Sequence, residues 1–302
     1  MSKTKYDIDP EFKLLTFIHP PIDRVTITWI QKTMRLLFHT ERPDRYVSVK
    51  RVNITSEDGN IVRSLLYIPK KKKTKGCLLY CHGGGYTFPA APNQYKLARI
   101  YAYRVGCCVL FPDYRLAPSY PFPAAPNDCF SAYKWLIGHS AGKIAVCGES
   151  AGGTLAMAVT LRAIDENIKQ PCAQMLMYPA AGNVGETESI RLYRDTPMCN
   201  SNDMDKYGKW YVQDESAGKI AYRSPVEADS FDGVPPTYIE TAEYDCLRDG
   251  AVIYAEKLRK NGIKVKLHQT KGTLHGYDTL LSGSIVKRLL AKRISFLKEH
   301  LG

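Results

Sequence analysis

Five short, nearly continuous apolar runs, separated by longer helical patterns, constrain the fold of this chain more than any other feature. Runs of this kind are typical of strands that are buried on both faces, and their alternation with helices favours a mostly parallel sheet. The runs occupy residues 77–81, 107–111, 144–147, 174–178 and 237–241. The chain is therefore predicted to adopt an α/β fold with helices on both faces of the sheet.

Three more segments complete the predicted sheet. Residues 46–54 and 61–68 are strand-like with partial alternation, which favours an antiparallel edge, and residues 265–268 form a last strand. Helical patterns cover residues 93–103, 128–136, 151–163, 250–261 and 284–300. We therefore expect one domain over residues 1–302, with a mostly parallel, eight-stranded sheet.

Two regions do not follow this alternation, namely residues 1–45 and about 182–228. The second is polar and rich in aromatic residues, among them Tyr207, Trp210 and Tyr211. Insertions of this kind usually build lids over the strand ends. We expect the two regions to form a helical cap, and these three aromatic side chains to contact a substrate.

Composition narrows the choice of partners. The formal net charge is +12, which attracts polyanions, but the densest basic run, residues 70–75, lies between two predicted strands and is interpreted as a solvated turn. No nucleic-acid partner is therefore predicted. No apolar stretch approaches the roughly 18 residues of a membrane span, and the first residues lack the apolar core of a secretory signal. We expect a cytoplasmic protein with no stable membrane insertion.

The nine cysteines are scattered and show no metal-binding spacing. Reduced, mostly buried thiols are the simplest interpretation of such a pattern. The sequence therefore predicts no metal site.

Residues 148–152 read Gly-Glu-Ser-Ala-Gly, a G-x-S-x-G sequence between a buried strand and a helical pattern. The two glycines allow strand and helix to approach closely, and the serine hydroxyl projects above the sheet. The N-terminus of the following helix favours the negative oxygen of a tetrahedral intermediate. Ser150 is therefore the predicted nucleophile. The alternative, that Ser150 only caps the helix, does not require glycines on both sides.

A glycine-rich loop, His-Gly-Gly-Gly-Tyr at residues 82–86, follows the strand at 77–81. Consecutive glycines leave backbone N–H groups unobstructed, which suits an oxyanion hole. We predict donors at Gly83, Gly84 and Ala151, and a substrate contact at Tyr86. A flexible turn is the alternative; a phosphate-binding loop is not favoured, because neither glycine spacing of such loops occurs here.

Five sequence blocks resemble the hormone-sensitive-lipase family of esterases, and they occur in the family's order. They are HGGGY (82–86), DYRLAPSYPFPAAPNDC (113–129), GESAGG (148–153), EYDCLRDGA (243–251) and LHGY (274–277). The resemblance implies an α/β-hydrolase fold and ester hydrolysis with side chains and water alone, so that no cofactor is expected. Two positions depart from the family pattern: Glu149 stands where Asp is more frequent, and Ser119 where Glu is usual.

A serine triad also needs a histidine and a carboxylate, and in this fold they follow the nucleophile as Asp and then His. His275 lies in a loop after the last predicted strand, whereas His268 lies inside that strand and His300 at the end of the terminal helix. The position in a loop and the resemblance of the LHGY block both favour His275.

Two aspartates compete as the acid of the triad. Asp245 follows the strand at 237–241, and Asp249 lies near the start of the next helix, where a carboxylate is stabilised without any catalytic role. Resemblance to the family's D-x-L-R-D block favours Asp245. Glu240 and Glu243 are weaker candidates.

The expected activity is hydrolysis of small-molecule carboxylic esters with short acyl or acetyl groups, by way of an acyl-enzyme. A lipase or a peptidase on the same fold is an alternative. A non-catalytic ligand receptor is another, although such a receptor would be expected to lose a member of the triad. The oligomeric state, including a homo-oligomer, stays open.

Overall fold

The computed structural model describes residues 5–21 and 23–302, so that residues 1–4 and 22 of the predicted cap lie outside it. Within the described residues, eight strands form one sheet, which confirms the predicted fold. The strands are β1 (Val47–Thr55), β2 (Ile61–Pro69), β3 (Cys77–Cys81), β4 (Cys108–Pro112), β5 (Ile144–Glu149), β6 (Gln174–Met177), β7 (Thr237–Thr241) and β8 (Val265–Gln269). Their order is β1-β2-β4-β3-β5-β6-β7-β8, with β1 and β2 antiparallel to their neighbours and the other six parallel.

Helices occupy both faces of the sheet. They are α1 (Arg24–Thr40), α2 (Pro92–Val105), α3 (Ala124–His139), α4 (Ala151–Asp165), α5 (Glu188–Leu192), α6 (Ser201–Tyr211), α7 (Arg248–Lys260) and α8 (Ser284–Leu301). Short 3-10 helices lie at Pro10–Phe17, Ile220–Tyr222, Pro225–Glu227 and Tyr277–Thr279.

The central strands are apolar throughout because both of their faces are covered. In β3, Leu79 packs in the core formed with α3, α4 and α7, whereas Leu78 and Tyr80 pack in the core formed with α2 and α8. Successive side chains of a strand point to opposite faces, so a strand between two helical layers needs apolar residues at every position.

The predicted and observed elements differ most where proline or the cap is involved. Helix α3 begins at Ala124 rather than at the predicted residue 128, since Pro126 is tolerated in the first turn of a helix. Helices α1, α5 and α6 lie in the two regions that the sequence left without assigned elements.

The carboxyl ends of the parallel strands meet at one edge of the sheet, which is where sites of this architecture form. The loops after β3, β5, β7 and β8 carry the glycine-rich segment, Ser150, Asp245 and His275 respectively. No described helix combines the length and the apolar character needed to cross a bilayer. The cytoplasmic location stays a prediction.

Candidate active site

Ser150 lies at the sharp turn between β5 and α4, with a backbone φ of +54°. This left-handed conformation is strained for a residue other than glycine, and such strain is typical of functional turns. Although Ser150 occupies the N-cap position of α4, its side chain makes no capping hydrogen bond. Its Oγ instead lies 2.9 Å from Nε2 of His275, so the alternative of a purely capping serine does not describe this side chain.

The two glycines of the pentapeptide allow the close packing that this turn requires. A Cβ atom at Gly148 would lie 2.1 Å from the carbonyl oxygen of Gly152, and one at Gly152 would lie 2.2 Å from the carbonyl oxygen of Cys81. Any side chain at either position would therefore push α4 away from the strands and displace Ser150.

His275 and Asp245 are brought together by pairing between their loops. Tyr244 and Leu274 form an isolated parallel bridge, and the Tyr244 amide donates to the Thr273 carbonyl at 2.9 Å. As a result, His275 Nδ1 lies 2.7 Å from Oδ2 of the fully buried Asp245. The other carboxylate oxygen accepts the Leu247 amide at 2.9 Å. The Asp245 carboxylate is thus held in one orientation.

The competing acidic side chains have other partners. Asp249 accepts the Ser189 amide at 2.7 Å and pairs with Arg248. Glu240 is buried against Arg293, and Glu243 accepts the Gly272 amide at 2.7 Å. Each of these carboxylates therefore holds local structure.

The glycine-rich loop requires one correction. The Gly83 amide donates to Glu149 Oε1 at 2.8 Å, so it is not free to bind an oxyanion as predicted. Within the described chain, the amides of Gly84, Gly85 and Ala151 have no acceptor, and all three residues line the cavity above Ser150. Gly85, rather than Gly83, therefore offers an amide without an acceptor beside the cavity, because the Gly83 amide anchors the loop to Glu149.

Glu149, next to Ser150, is the anchor of that loop. Its Oε1 also accepts Gln94 Nε2 at 2.5 Å, which links the loop to helix α2. Burial, with a contribution from the charge of Asp278, raises the pKa of the Glu149 carboxyl from 4.5 to about 8. The side chain is therefore mainly protonated at neutral pH and keeps its acceptor oxygen without burying a charge.

This raised pKa makes the free energy of unfolding depend on pH. Between about pH 4.5 and pH 8 the folded state retains a proton that the unfolded state has lost, so stability falls as the pH rises through this window. The Glu149→Gln variant has no carboxyl group at this position and is expected to lack this pH dependence. From pH 5 to pH 9, the free energy of unfolding of the parent is expected to fall by about 2 to 4 kcal/mol more than that of the variant. Urea unfolding of both proteins across this range measures the difference. If the free energies of unfolding of the two proteins changed with pH in parallel, the raised pKa of Glu149 would be wrong.

Tyr178 is a contact of the histidine that sequence reasoning missed. Its ring packs edge-on against His275, with 4.8 Å between centroids, and its hydroxyl donates to Asp278, which pairs with Arg293 at 2.8 Å. Tyr178 directly follows β6, and this position at the carboxyl edge was the only available signal.

A cavity of about 440 Å³ opens above Ser150 and His275. Of the four aromatic residues predicted to contact a substrate, Tyr86 and Tyr207 line the cavity, whereas Trp210 and Tyr211 do not. Tyr211 lies one helical turn beyond Tyr207, and its ring stacks on Tyr86 with 3.7 Å between centroids. Trp210 packs against the hydrophobic core. Lining side chains that the sequence did not indicate are Ile18, Ile30, Met34, Phe88, Met198 and Met204.

Known proteins that are similar to this chain include several esterases. The model of a family with the alpha/beta hydrolase fold matches residues 78–279. Esterase LipI of Mycobacterium tuberculosis is 34% identical over 212 residues, and the match covers 66% of this chain and 65%, just under two thirds, of that protein. The arylesterase of Saccharolobus solfataricus is 32% identical, with 82% of each chain covered. Among solved structures, a bacterial heroin esterase is similar with a TM-score of 0.88 at 29% identity over 98% of each chain.

Proposed function

This chain belongs to the alpha/beta hydrolase fold family and is a carboxylic ester hydrolase, and from that premise we propose that Ser150, His275 and Asp245 are its catalytic triad. The observation that carries the proposal is the line of hydrogen bonds from Ser150 Oγ to His275 Nε2 at 2.9 Å and from His275 Nδ1 to Asp245 at 2.7 Å. Nucleophile, base and orienting acid within hydrogen-bond reach are the requirement for nucleophilic catalysis by serine.

The reaction follows from these contacts. His275 takes the Ser150 proton as the hydroxyl oxygen attacks the ester carbonyl, and Asp245 stabilises the imidazolium that forms. The amides of Gly84, Gly85 and Ala151 bind the developing oxyanion. The intermediate then expels the alcohol, which receives its proton from His275. Water, activated by the same histidine, cleaves the acyl-enzyme and restores Ser150.

A labelling experiment tests the nucleophile directly. An organophosphate is expected to modify Ser150 stoichiometrically and to abolish hydrolysis of p-nitrophenyl acetate, because only an activated serine reacts at an appreciable rate. Peptide mapping by mass spectrometry locates the adduct. Modification of another residue, with activity lost in parallel, would overturn the assignment.

We also propose that the two irregular regions act together as the cap over Ser150. Several hydrogen bonds join them. Among these, the Met198 amide donates to the Ile18 carbonyl at 3.0 Å, and the Tyr207 hydroxyl donates to the Pro21 carbonyl at 3.1 Å. Ile30 and Met34 of α1 add apolar side chains to the cavity wall. A cap of this composition favours the uncharged acyl or alkyl parts of an ester.

The preferred acyl group is proposed to be short, from acetyl to butyryl, because the Tyr207 ring lines the cavity and is held by edge-on packing against Phe88 and Trp210. Each methylene that finds apolar space contributes about 0.8 kcal/mol, or about fourfold in kcat/KM, until the space ends. The parent enzyme is therefore expected to lose activity steeply beyond butyryl. Tyr207→Ala is expected to raise kcat/KM for hexanoyl relative to acetyl esters by about tenfold.

The matched control is Tyr207→Phe, which keeps the ring and removes only the hydroxyl. It is expected to retain the parent's preference for short chains. The measurement is the kcat/KM series for p-nitrophenyl esters from acetyl to palmitoyl. A parent profile that peaks at octanoyl or longer would refute the proposal and favour a lipase.

A further inference from the structure

Three potential metal ligands cluster beside the catalytic acid. The sulfur atoms of Cys199 and Cys246 and a carboxylate oxygen of Asp245 all lie within 4.8 Å of one another. Cys199 belongs to the cap segment that precedes α6, whereas Asp245 and Cys246 follow β7. The cluster therefore joins the cap to the loop that carries the acid.

We propose that Cys199, Cys246 and Asp245 form a binding site for a thiophilic divalent cation, Zn²⁺, and that its occupancy inhibits the enzyme. The binding site stands on the geometry of the three side chains. The inhibition rests on the proposed function of Asp245 as the acid of the triad.

The spacing of the two sulfur atoms suits such a cation. Cys199 Sγ and Cys246 Sγ are 3.7 Å apart. Two thiolates at about 2.3 Å from a tetrahedral Zn²⁺ have a separation of about 3.8 Å. A disulfide instead requires about 2.05 Å between the sulfur atoms, so oxidation would demand a much closer approach than metal binding.

The surroundings of the cluster add a third sulfur atom and an opening to the cavity. The Met204 sulfur lies 3.6 Å from Cys199 Sγ, and a thioether beside two thiols favours soft or borderline metals over Mg²⁺ or Ca²⁺. Cys199 and Met204 line the cavity above Ser150, whereas Cys246 is buried behind them. A cation that enters the cavity therefore meets Cys199 first, and a water from the cavity can complete its coordination.

Binding requires no oxidant or reductant. Zn²⁺ forms two Zn–S bonds and one Zn–O bond, and the two thiols release two protons to the solvent. The charge within the cluster is unchanged, because the two positive charges of the cation replace those of the two protons. Binding must therefore tighten as the pH rises.

Inhibition is expected because the cation and His275 compete for the Asp245 carboxylate. One of its oxygen atoms accepts the hydrogen bond from His275 Nδ1, and the other accepts the Leu247 amide. When the carboxylate turns toward the cation, His275 loses the acceptor that fixes its orientation and tautomer. We expect saturating Zn²⁺ to lower kcat by about a hundredfold or more, toward the effect of removing the acid.

Isothermal titration of the reduced protein with Zn²⁺, alongside assays of ester hydrolysis, tests both parts. We expect one site per chain, release of protons, and inhibition that EDTA reverses. Cys199→Ser and Cys246→Ser are each expected to abolish the site, and each variant is compared with itself with and without Zn²⁺. Near-ultraviolet circular dichroism verifies that the variants are folded. The control is Cys172→Ser, which removes a half-buried thiol outside the cluster and is expected to keep both binding and inhibition.

The outcomes separate the metal site from the catalytic assignment. Binding that survives both cysteine substitutions, or no binding by the parent, overturns the site. Activity restored by a thiol reductant but not by EDTA identifies a disulfide and also overturns it. Zn²⁺ bound through both cysteines without inhibition overturns the inhibitory role. If Asp245→Asn is then fully active as well, the proposed acid has failed rather than the metal site.

Discussion

Ser150→Ala is expected to lower kcat for ester hydrolysis on the order of a millionfold, the scale of loss when the nucleophile of a serine triad is removed. No other described hydroxyl lies within hydrogen-bond reach of His275 Nε2. The substitution deletes one oxygen atom, and the residue keeps its position at the start of α4. The residual rate then comes from the oxyanion donors and the cavity alone.

Single-turnover and steady-state assays with p-nitrophenyl acetate measure this loss, and unfolding in urea shows whether the variant keeps its stability. Ser140→Ala is the matched control, because Ser140 follows α3 and does not line the cavity. It is expected to retain the parent rate. A Ser150→Ala protein that remains within tenfold of the parent would show that another group attacks the ester.

Asp245→Asn is expected to lower kcat by about ten-thousand-fold with little change in overall structure. The asparagine amide can present a donor toward His275 Nδ1, which favours the wrong tautomer and leaves Nε2 unable to accept the Ser150 proton. Because Asp245 is fully buried, solvent cannot replace the lost acceptor. The expected signature is a large fall in kcat with a smaller change in KM.

The Asp249→Asn variant separates the two candidate acids. Asp249 anchors the Ser189 amide and pairs with Arg248, so its substitution is expected to cost about 1 to 2 kcal/mol of stability and less than tenfold in kcat. Urea unfolding and steady-state kinetics of both variants give the comparison. An exchange of the two phenotypes would identify Asp249 as the acid.

Local pattern was sufficient for the framework of this protein. Strands such as Cys77–Cys81 are apolar at every position because helices cover both faces. Such an apolar run can be recognised in the sequence of the strand alone. The turn at Ser150 is equally local, since Gly148 and Gly152 are required by contacts within a few residues of Ser150 and with the neighbouring strand. Fold class and the candidate nucleophile therefore followed from sequence.

The choice of acid and base needed more than local pattern. The sequence placed His275 in a loop and left Asp245 and Asp249 as competitors, which resemblance to a family then ranked. The 2.7 Å contact between His275 and Asp245 depends on the bridge between Tyr244 and Leu274. Pairing between segments about thirty residues apart leaves no periodic signal in either of them.

Side-chain direction and long-range packing were decided only by the tertiary structure. Sequence could not tell that the Gly83 amide faces Glu149, that Trp210 and Tyr211 miss the cavity, or that Cys199 and Cys246 lie 3.7 Å apart. Periodicity and glycine spacing report the constraints on a residue's own backbone and its immediate neighbours. Contacts between cap and body depend on how whole elements pack, and many sequences with the same local pattern would pack them differently.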